Sequence, residues 1–182
     1  MAAIGGGIVS ITLILGGARS GKSKRAEQLA AASDLAVTYI ATAPHIEGDA
    51  AWEARIAYHR QSRPSHWDTL EVPLELCRIL PQTAVAGRVV LVDCLTLWLS
   101  NLLHAGRCVE TEVETLCALL PALPGEVVLV ANEVGMGLVP VSKIGRAFRD
   151  AHGRLNQAVA AVAARVEFMA AGLPMILKGD SA

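Results

Sequence analysis

The sequence predicts an α/β protein of three layers, with helices covering both faces of a mostly parallel central sheet. Three observations carry this. Short runs of β-branched and aliphatic residues recur along the chain, as in Ile11-Thr12-Leu13-Ile14-Leu15 and Val89-Val90-Leu91-Val92. Segments of helical period stand between those runs. The first run enters a glycine-rich turn that opens directly into a helix. At 182 residues, 53% apolar and 18% charged, the chain has the length and composition of a single domain, 1–182, with a sizeable core.

Taken in order, Met1 to Gly7 reads as a frayed, disordered tail and Ile8 to Leu15 as a central buried strand. Met1 to Ala18 carries no charge, which is long enough to suggest a membrane span. Its five glycines, the lack of a basic start and the ligand loop directly after it argue instead for a strand. Lys24 to Ala32 is a helix that packs through Ala26, Leu29 and Ala30. Ala36 to Ile40 is a second strand, and Asp49 to Arg60 a helix in which Trp52, Ile56 and His59 recur at helical spacing. A polar loop, Gln61 to Trp67, leads to a strand over Asp68 to Val72 and a short helix over Leu74 to Leu80. Arg88 to Asp93 is a strand closed by an acid. Cys94 to Leu103 is an apolar helix, buried in the core or facing another subunit. Glu110 to Leu120 is amphipathic, and Glu126 to Ala131 is a further strand. Ile144 to Ala164 is the longest helix, with Phe148, Leu155, Val159 and Val162 inward. Arg165 to Met169 and Pro174 to Lys178 close the chain as strands.

The chemistry gathers at Gly16-Gly17-Ala18-Arg19-Ser20-Gly21-Lys22-Ser23. Gly16, Gly21, Lys22 and Ser23 fill the fixed places of G-x-x-x-x-G-K-[ST], whose backbone N–H groups cradle a nucleotide's phosphates. Lys22 supplies a charge to the β and γ phosphates, the Ser23 hydroxyl is placed to ligate Mg²⁺, and the helix start adds its partial positive charge. Asp93 supplies the second half of the signature, a carboxylate at the end of a buried strand beside the first, holding Mg²⁺ directly or through water. Together these indicate a P-loop NTPase fold of the RecA-like kind. The protein is expected to transfer a phosphoryl or nucleotidyl group.

Other residues stay open on their own chemistry. Thr42, at the end of the second strand, either faces the phosphate loop or closes its strand as a turn hydroxyl. His59, with Arg60 and Arg63 nearby, is a nucleophile, a phosphate ligand, or simply a complement to the helix dipole. Asn132-Glu133-Val134-Gly135-Met136-Gly137-Leu138-Val139-Pro140 leaves the end of a strand and can line the same crevice. A net charge of −1 and the absence of any basic block exclude a nucleic-acid partner. Cys77, Cys94, Cys108 and Cys117 have neither zinc nor disulfide spacing, which fits reduced thiols in a cytoplasmic protein.

Several blocks together resemble one family. They are Gly16 to Ser23, Tyr39-Ile40-Ala41-Thr42-Ala43, Ala54-Arg55-Ile56 with His59-Arg60, Arg63-Pro64 with Trp67, Val92-Asp93-Cys94-Leu95-Thr96-Leu97-Trp98-Leu99-Ser100-Asn101-Leu102-Leu103, the Asn132 to Pro140 loop, Phe148-Arg149-Asp150 and Gly153-Arg154-Leu155-Asn156-Gln157. The chain is similar, from about Ile11 to Lys178, to the bifunctional adenosylcobinamide kinase / adenosylcobinamide-phosphate guanylyltransferases of cobalamin biosynthesis. The resemblance implies transfer of the γ-phosphoryl of ATP or GTP to adenosylcobinamide. Transfer of GMP from GTP to the resulting adenosylcobinamide phosphate follows, releasing pyrophosphate.

The resemblance also assigns residues. It makes His59 the carrier of a covalent GMP, with Arg60 and Arg63 neutralising phosphate. It extends the nucleotide-binding set over Gly16, Gly17, Ala18, Arg19, Ser20, Gly21, Lys22 and Ser23, then Thr42 and Ala43, Arg60, Gln61, Ser62 and Arg63, Glu71 on the guanine or ribose side, and Asp93. Catalysis falls to His59 and Lys22, and Mg²⁺ to Ser23 and Asp93. Arg19 belongs to the family motif without a role its chemistry fixes. Tyr58 stands before His59 where some members carry a second histidine, which removes a substitute nucleophile. A homotrimer would give the Cys94 to Leu103 helix a partner. Two other functions compete: a P-loop kinase of another small alcohol or nucleoside with no covalent intermediate, and a GTP-dependent switch. The switch lacks support, because no Asn-Lys-x-Asp motif is present and no Asp-x-x-Gly begins at Asp93.

Overall fold

The computed structural model describes residues 11–44, 48–61 and 63–179; the side chains of residues 51, 55, 58, 59 and 61 also lie outside the description. The expected tail Met1 to Gly7, the first three residues of the expected strand from Ile8, and Ser62 fall outside it.

The elements run β1 (Ile11–Gly16), α1 (Lys22–Ala31), β2 (Ala36–Ala41), α2 (Ala50–Gln61), β3 (Asp68–Glu71), α3 (Leu76–Thr83) and β4 (Arg88–Asp93). They continue with α4 (Leu95–His104), α5 (Val109–Leu119), a 3₁₀ turn (Leu120–Ala122), β5 (Glu126–Asn132), α6 (Lys143–Val162), β6 (Arg165–Ala170) and β7 (Leu173–Lys178). The strands form one sheet in the order β3-β2-β4-β5-β1-β6-β7. Every pairing is parallel except β6 with β7.

Alternation along each buried strand builds the three layers. Ile11, Leu13, Leu15, Val90, Val92, Val127 and Leu129 pack against α3, α4, α5 and α6 on one face. Ile14, Val37, Tyr39, Leu91, Val128 and Val130 share the other face with Ala26 and Ala30 of α1. Small side chains on α1 let that helix approach the sheet closely. That places its N-terminus at the carboxyl edge of β1.

Two expectations change, and one open alternative closes. Asp93 was expected on a strand beside β1, yet β5 stands between β4 and β1. The crevice therefore opens across three strand ends, which brings Asn132 between the phosphate loop and Asp93. The α3 helix runs past Pro81 to Thr83, because the Thr83 hydroxyl donates to the Ile79 and Leu80 carbonyls and steadies the last turn. The apolar helix expected over Cys94 to Leu103 needs no second subunit. Leu95, Trp98, Leu99 and Leu102 of α4 are fully buried within the chain, and the Trp98 indole N–H donates to the Leu74 carbonyl at 2.9 Å. Leu103, near the end of α4, is partly exposed, but the most exposed apolar side chains lie elsewhere, at Met136, Leu138, Val139, Val141 and Ile144, and at Leu173, Met175 and Leu177 of the edge strand β7.

Candidate active site

The turn between β1 and α1 is shaped by close approach of backbones. A Cβ on Gly16 would sit 2.8 Å from the Met169 carbonyl oxygen and 2.5 Å from Ser20 Oγ, so only glycine fits. Gly21 has φ 96°, a left-handed conformation that glycine adopts without penalty, and it caps α1 with no side chain of its own. Backbone bonds brace the turn: the Gly172 N–H donates to the Ser20 carbonyl at 3.0 Å, and the Glu133 N–H donates to the Gly16 carbonyl at 3.0 Å. Lys22 Nζ folds back to donate to the Gly17 carbonyl at 3.1 Å. Ala18 and Arg19 form the exposed outer part of the turn, with Arg19 at φ 57°, while Ser20 is buried.

The turn leads into a cavity of about 280 Å³. Lys22 and Ser23 line it with Asp93 from β4, Asn132 from β5, Ala43 after β2, and Arg63 and Glu71. Trp52, Ile56 and Arg60 of α2 complete the wall. So the structure brings together Lys22, Ser23, Ala43, Arg60, Arg63, Glu71 and Asp93 from the expected set. The backbones of His59 and Gln61 lie in α2, one turn or less from Ile56 and Arg60.

Thr42 takes the plainer of its two readings. Its side chain is fully buried; the hydroxyl donates to the Cys94 carbonyl at 2.7 Å and accepts from the Cys94 N–H at 2.8 Å. Those bonds tie the end of β2 to the end of β4, and Thr42 does not line the cavity. Arg60 pairs with Glu71 across the cavity mouth, two side chains each about half exposed.

Several contributors were not legible beforehand. The Tyr39 hydroxyl donates to Asp93 Oδ2 at 2.9 Å, which orients that carboxylate. Burial, then the neighbouring Asp93, raises the Tyr39 phenol well above its ordinary value, so it stays protonated and remains a donor. The Arg63 guanidinium lies over the Tyr39 ring, 3.7 Å from its centroid, a cation–π contact that holds positive charge at the wall. Trp52 donates from its indole N–H to the Pro44 carbonyl at 2.9 Å and fixes the start of α2 to the loop after β2. Glu27, one turn beyond Ser23 on α1, has its pKa raised by burial and then by Asp93. The Cys94 thiol in the cavity wall is pushed up to about 11, first by burial and then by Asp93, and so is no ready nucleophile.

The donor set suits a magnesium ion shared with phosphates. Among the described residues no group of three or more His, Cys, Asp or Glu is arranged to hold a metal alone. Mg²⁺ is commonly held by one or two carboxylates plus substrate phosphates, and Ser23 and Asp93 offer hard oxygen donors in one cavity. The mutual repulsion of Asp93 and Glu27 is the kind a cation relieves.

Comparison with known proteins agrees with this construction. The chain is 54% identical over 170 residues to the bifunctional adenosylcobalamin biosynthesis protein CobP of Pseudomonas aeruginosa, covering 92% of this chain and 97% of the relative. It is 40% identical to the bifunctional adenosylcobalamin biosynthesis protein CobU of Escherichia coli, covering 91% and 98%. Among solved structures, a prototypical ATPase from the type III secretion system of pathogenic bacteria superposes with TM-score 0.54 at 11% identity, covering 93% of this chain and 57% of that one. That likeness concerns the fold alone. The family model described as cobinamide kinase / cobinamide phosphate guanyltransferase matches residues 12–177, and the chain belongs to that family, CobU.

Proposed function

We propose that the protein performs both reactions on one catalytic domain, with His59 as the covalent carrier of GMP. In the first reaction the hydroxyl of adenosylcobinamide attacks the γ-phosphorus of ATP or GTP, the bond to the β-phosphate oxygen breaks, and adenosylcobinamide phosphate forms as ADP or GDP departs and the hydroxyl proton passes to solvent. In the second, a neutral His59 imidazole nitrogen attacks the α-phosphorus of GTP and pyrophosphate departs. An oxygen of adenosylcobinamide phosphate then attacks the same phosphorus, the P–N bond breaks, and adenosylcobinamide-GDP leaves with the imidazole restored.

The observation that supports this reading is the placing of α2. That helix carries Trp52, Ile56 and Arg60 to the wall of the same cavity that holds Lys22, Ser23 and Asp93. Lys22 and the backbone N–H groups from Gly16 to Ser23 hold the phosphates. Arg63, stacked on Tyr39, and Arg60 meet the charge that develops on the transferred group or on pyrophosphate. Arg60 exchanges its surface pairing with Glu71 for phosphate, which releases the carboxylate toward the guanine or ribose. Ser23 and Asp93 would hold Mg²⁺, which would supply neutralisation of phosphate charge.

The protein is further proposed to act as a homotrimer in the cytoplasm. The exposed apolar run from Met136 to Ile144, with the outer face of β7, supplies surface for contact between copies. No helix among the described residues is long and apolar enough to cross a membrane, and all four cysteines are free thiols. Incubation with γ-labelled ATP or GTP and adenosylcobinamide tests the first reaction. Labelled adenosylcobinamide phosphate is the expected product; tight GTP binding without turnover would favour the switch.

A further inference from the structure

Beneath the carboxyl end of β5 lies a cluster of polar side chains that the scheme above does not use. His152 of α6 has no exposed surface. Its Nε2 is 2.9 Å from Thr96 Oγ1 of α4, and its Nδ1 is 3.3 Å from Asn156 Nδ2 one turn along α6. Both partners turn to the same residue. The Asn132 N–H donates to Thr96 Oγ1 at 2.7 Å, and Asn156 Nδ2 donates to the Asn132 carbonyl at 3.1 Å. Asn132 thus has both backbone groups gripped from below, and the next N–H, of Glu133, is held by the Gly16 carbonyl. In register Asn132 stands opposite Gly16, the first glycine of the phosphate loop. It lines the cavity with Lys22, Ser23 and Asp93.

The donor count fixes how this cluster works. The Asn156 amide has two N–H groups, one for the Asn132 carbonyl and one for Nδ1 of His152. Nδ1 is then an acceptor, so Nε2 carries the proton and donates to Thr96 Oγ1, which also accepts from Asn132. Only a neutral imidazole in that tautomer satisfies every partner, and burial favours the neutral form. The Phe148 ring, 5.6 Å away, closes one side. Asn156 Oδ1 is left without a partner among the described residues. An apolar filling would avoid that unsatisfied group, so the polar arrangement is explained by what it positions.

We propose that His152, acting through Thr96 and Asn156, is a positioning residue that locks the Asn132 backbone so that the Asn132 amide contacts the terminal phosphate of the triphosphate in the loop. This rests on the phosphate-loop part of the reading above and is independent of the corrinoid substrate and of His59. The position explains why an amide stands there. It is a neutral donor placed between the cationic Lys22 and the anionic Asp93, and it can reach a γ-oxygen without competing for Mg²⁺.

The test compares binding of a non-hydrolysable ATP analogue with binding of ADP, each with Mg²⁺, by calorimetry on the full chain. Asn132→Ala is expected to weaken the triphosphate about tenfold or more, the scale of one hydrogen bond to a charged group, while ADP changes by less than about twofold. His152→Leu is expected to lower the same ratio. His152→Gln is expected to restore it, since a carboxamide both donates to Thr96 and accepts from Asn156. Equal losses for ADP and the triphosphate in Asn132→Ala would overturn the proposal, as would a Gln variant no better than Leu. Should His152→Leu fail to fold, Asn132→Ala and His152→Gln decide the matter. No binding of either nucleotide by the wild type would overturn the phosphate-loop reading as well, whereas normal binding without corrinoid turnover would leave this inference standing.

Discussion

Replacing Glu167 with Gln should loosen the attachment of α1, the helix that carries Lys22 and Ser23, to the sheet. Glu167 on β6 has no exposed surface, yet two arginines face its carboxylate. Arg25 of α1 donates to it at 2.8 and 2.9 Å, and Arg165 Nε donates to it at 2.7 Å. The hydrogen bonds from Arg25, followed by those from Arg165, hold the carboxyl below its usual range against the opposing effect of burial. Breaking a buried pair costs about 3–5 kcal/mol, because the remaining charge is left uncompensated. Here the two arginine side chains keep 25% and 20% of their surface in water, and Gln retains one acceptor, so the lower end applies: about 3 kcal/mol.

For a chain of this size that corresponds to a drop of roughly 6–12 °C in Tm. The pH dependence has a definite sign. A carboxyl whose folded pKa is depressed stabilises the protein above its unfolded value, near 4.3 for Glu, and that stabilisation fades as pH falls through the folded pKa. The gap between wild type and Glu167→Gln should therefore be full at pH 7 and shrink below about pH 4.3. Urea unfolding at several pH values measures it. A gap under about 1 kcal/mol at pH 7, or one that widens on acidification, would refute the reasoning.

Two further perturbations act on the loop itself. Lys22→Ala should lower both the phosphoryl and the GMP transfer by at least about 100-fold, since both need the phosphates positioned; either step surviving at its normal rate would remove the lysine from it. Gly16→Ala should cost about 1–3 kcal/mol and weaken nucleotide binding, because its Cβ would meet the Met169 carbonyl oxygen at 2.8 Å. Gly17→Ala, with nothing within 4 Å of its Cβ, is the matched control and should be nearly neutral. Equal melting temperatures for the two variants would contradict this account of the turn.

The strands and helices were legible because most are long, periodic and bounded by Gly or Pro. The phosphate loop was legible because its residue types are demanded by backbone approach and charge. Strand order was not. Nothing in the run Val89 to Asp93 says that β5 lies between it and β1, since sequence proximity does not encode which parallel strands pair. For the same reason Tyr39 could not be placed against Asp93, although both residues were in view: their contact depends on β2 and β4 being neighbours. Thr42 stood at the right strand end, but its hydroxyl serves the Cys94 backbone, a short-range need that spacing alone could not rank above phosphate binding. The α4 helix illustrates another limit. An apolar helix reads alike whether its cover is the same chain or another, and only the structure shows its buried face packed on β5, α5 and α6 of the same chain. His59 is the converse case, a residue whose own chemistry left three roles open and whose proposed role came from a family pattern.

The most direct measurement asks whether GMP becomes attached to the protein. Incubation with α-labelled GTP and Mg²⁺, followed by denaturation and peptide mapping, should leave acid-labile label on the peptide containing His59. His59→Ala should abolish that label and GMP transfer while some kinase activity persists. Unlabelled protein, label on another residue, or undiminished GMP transfer by His59→Ala would contradict the proposal that an imidazole on α2 carries the nucleotide.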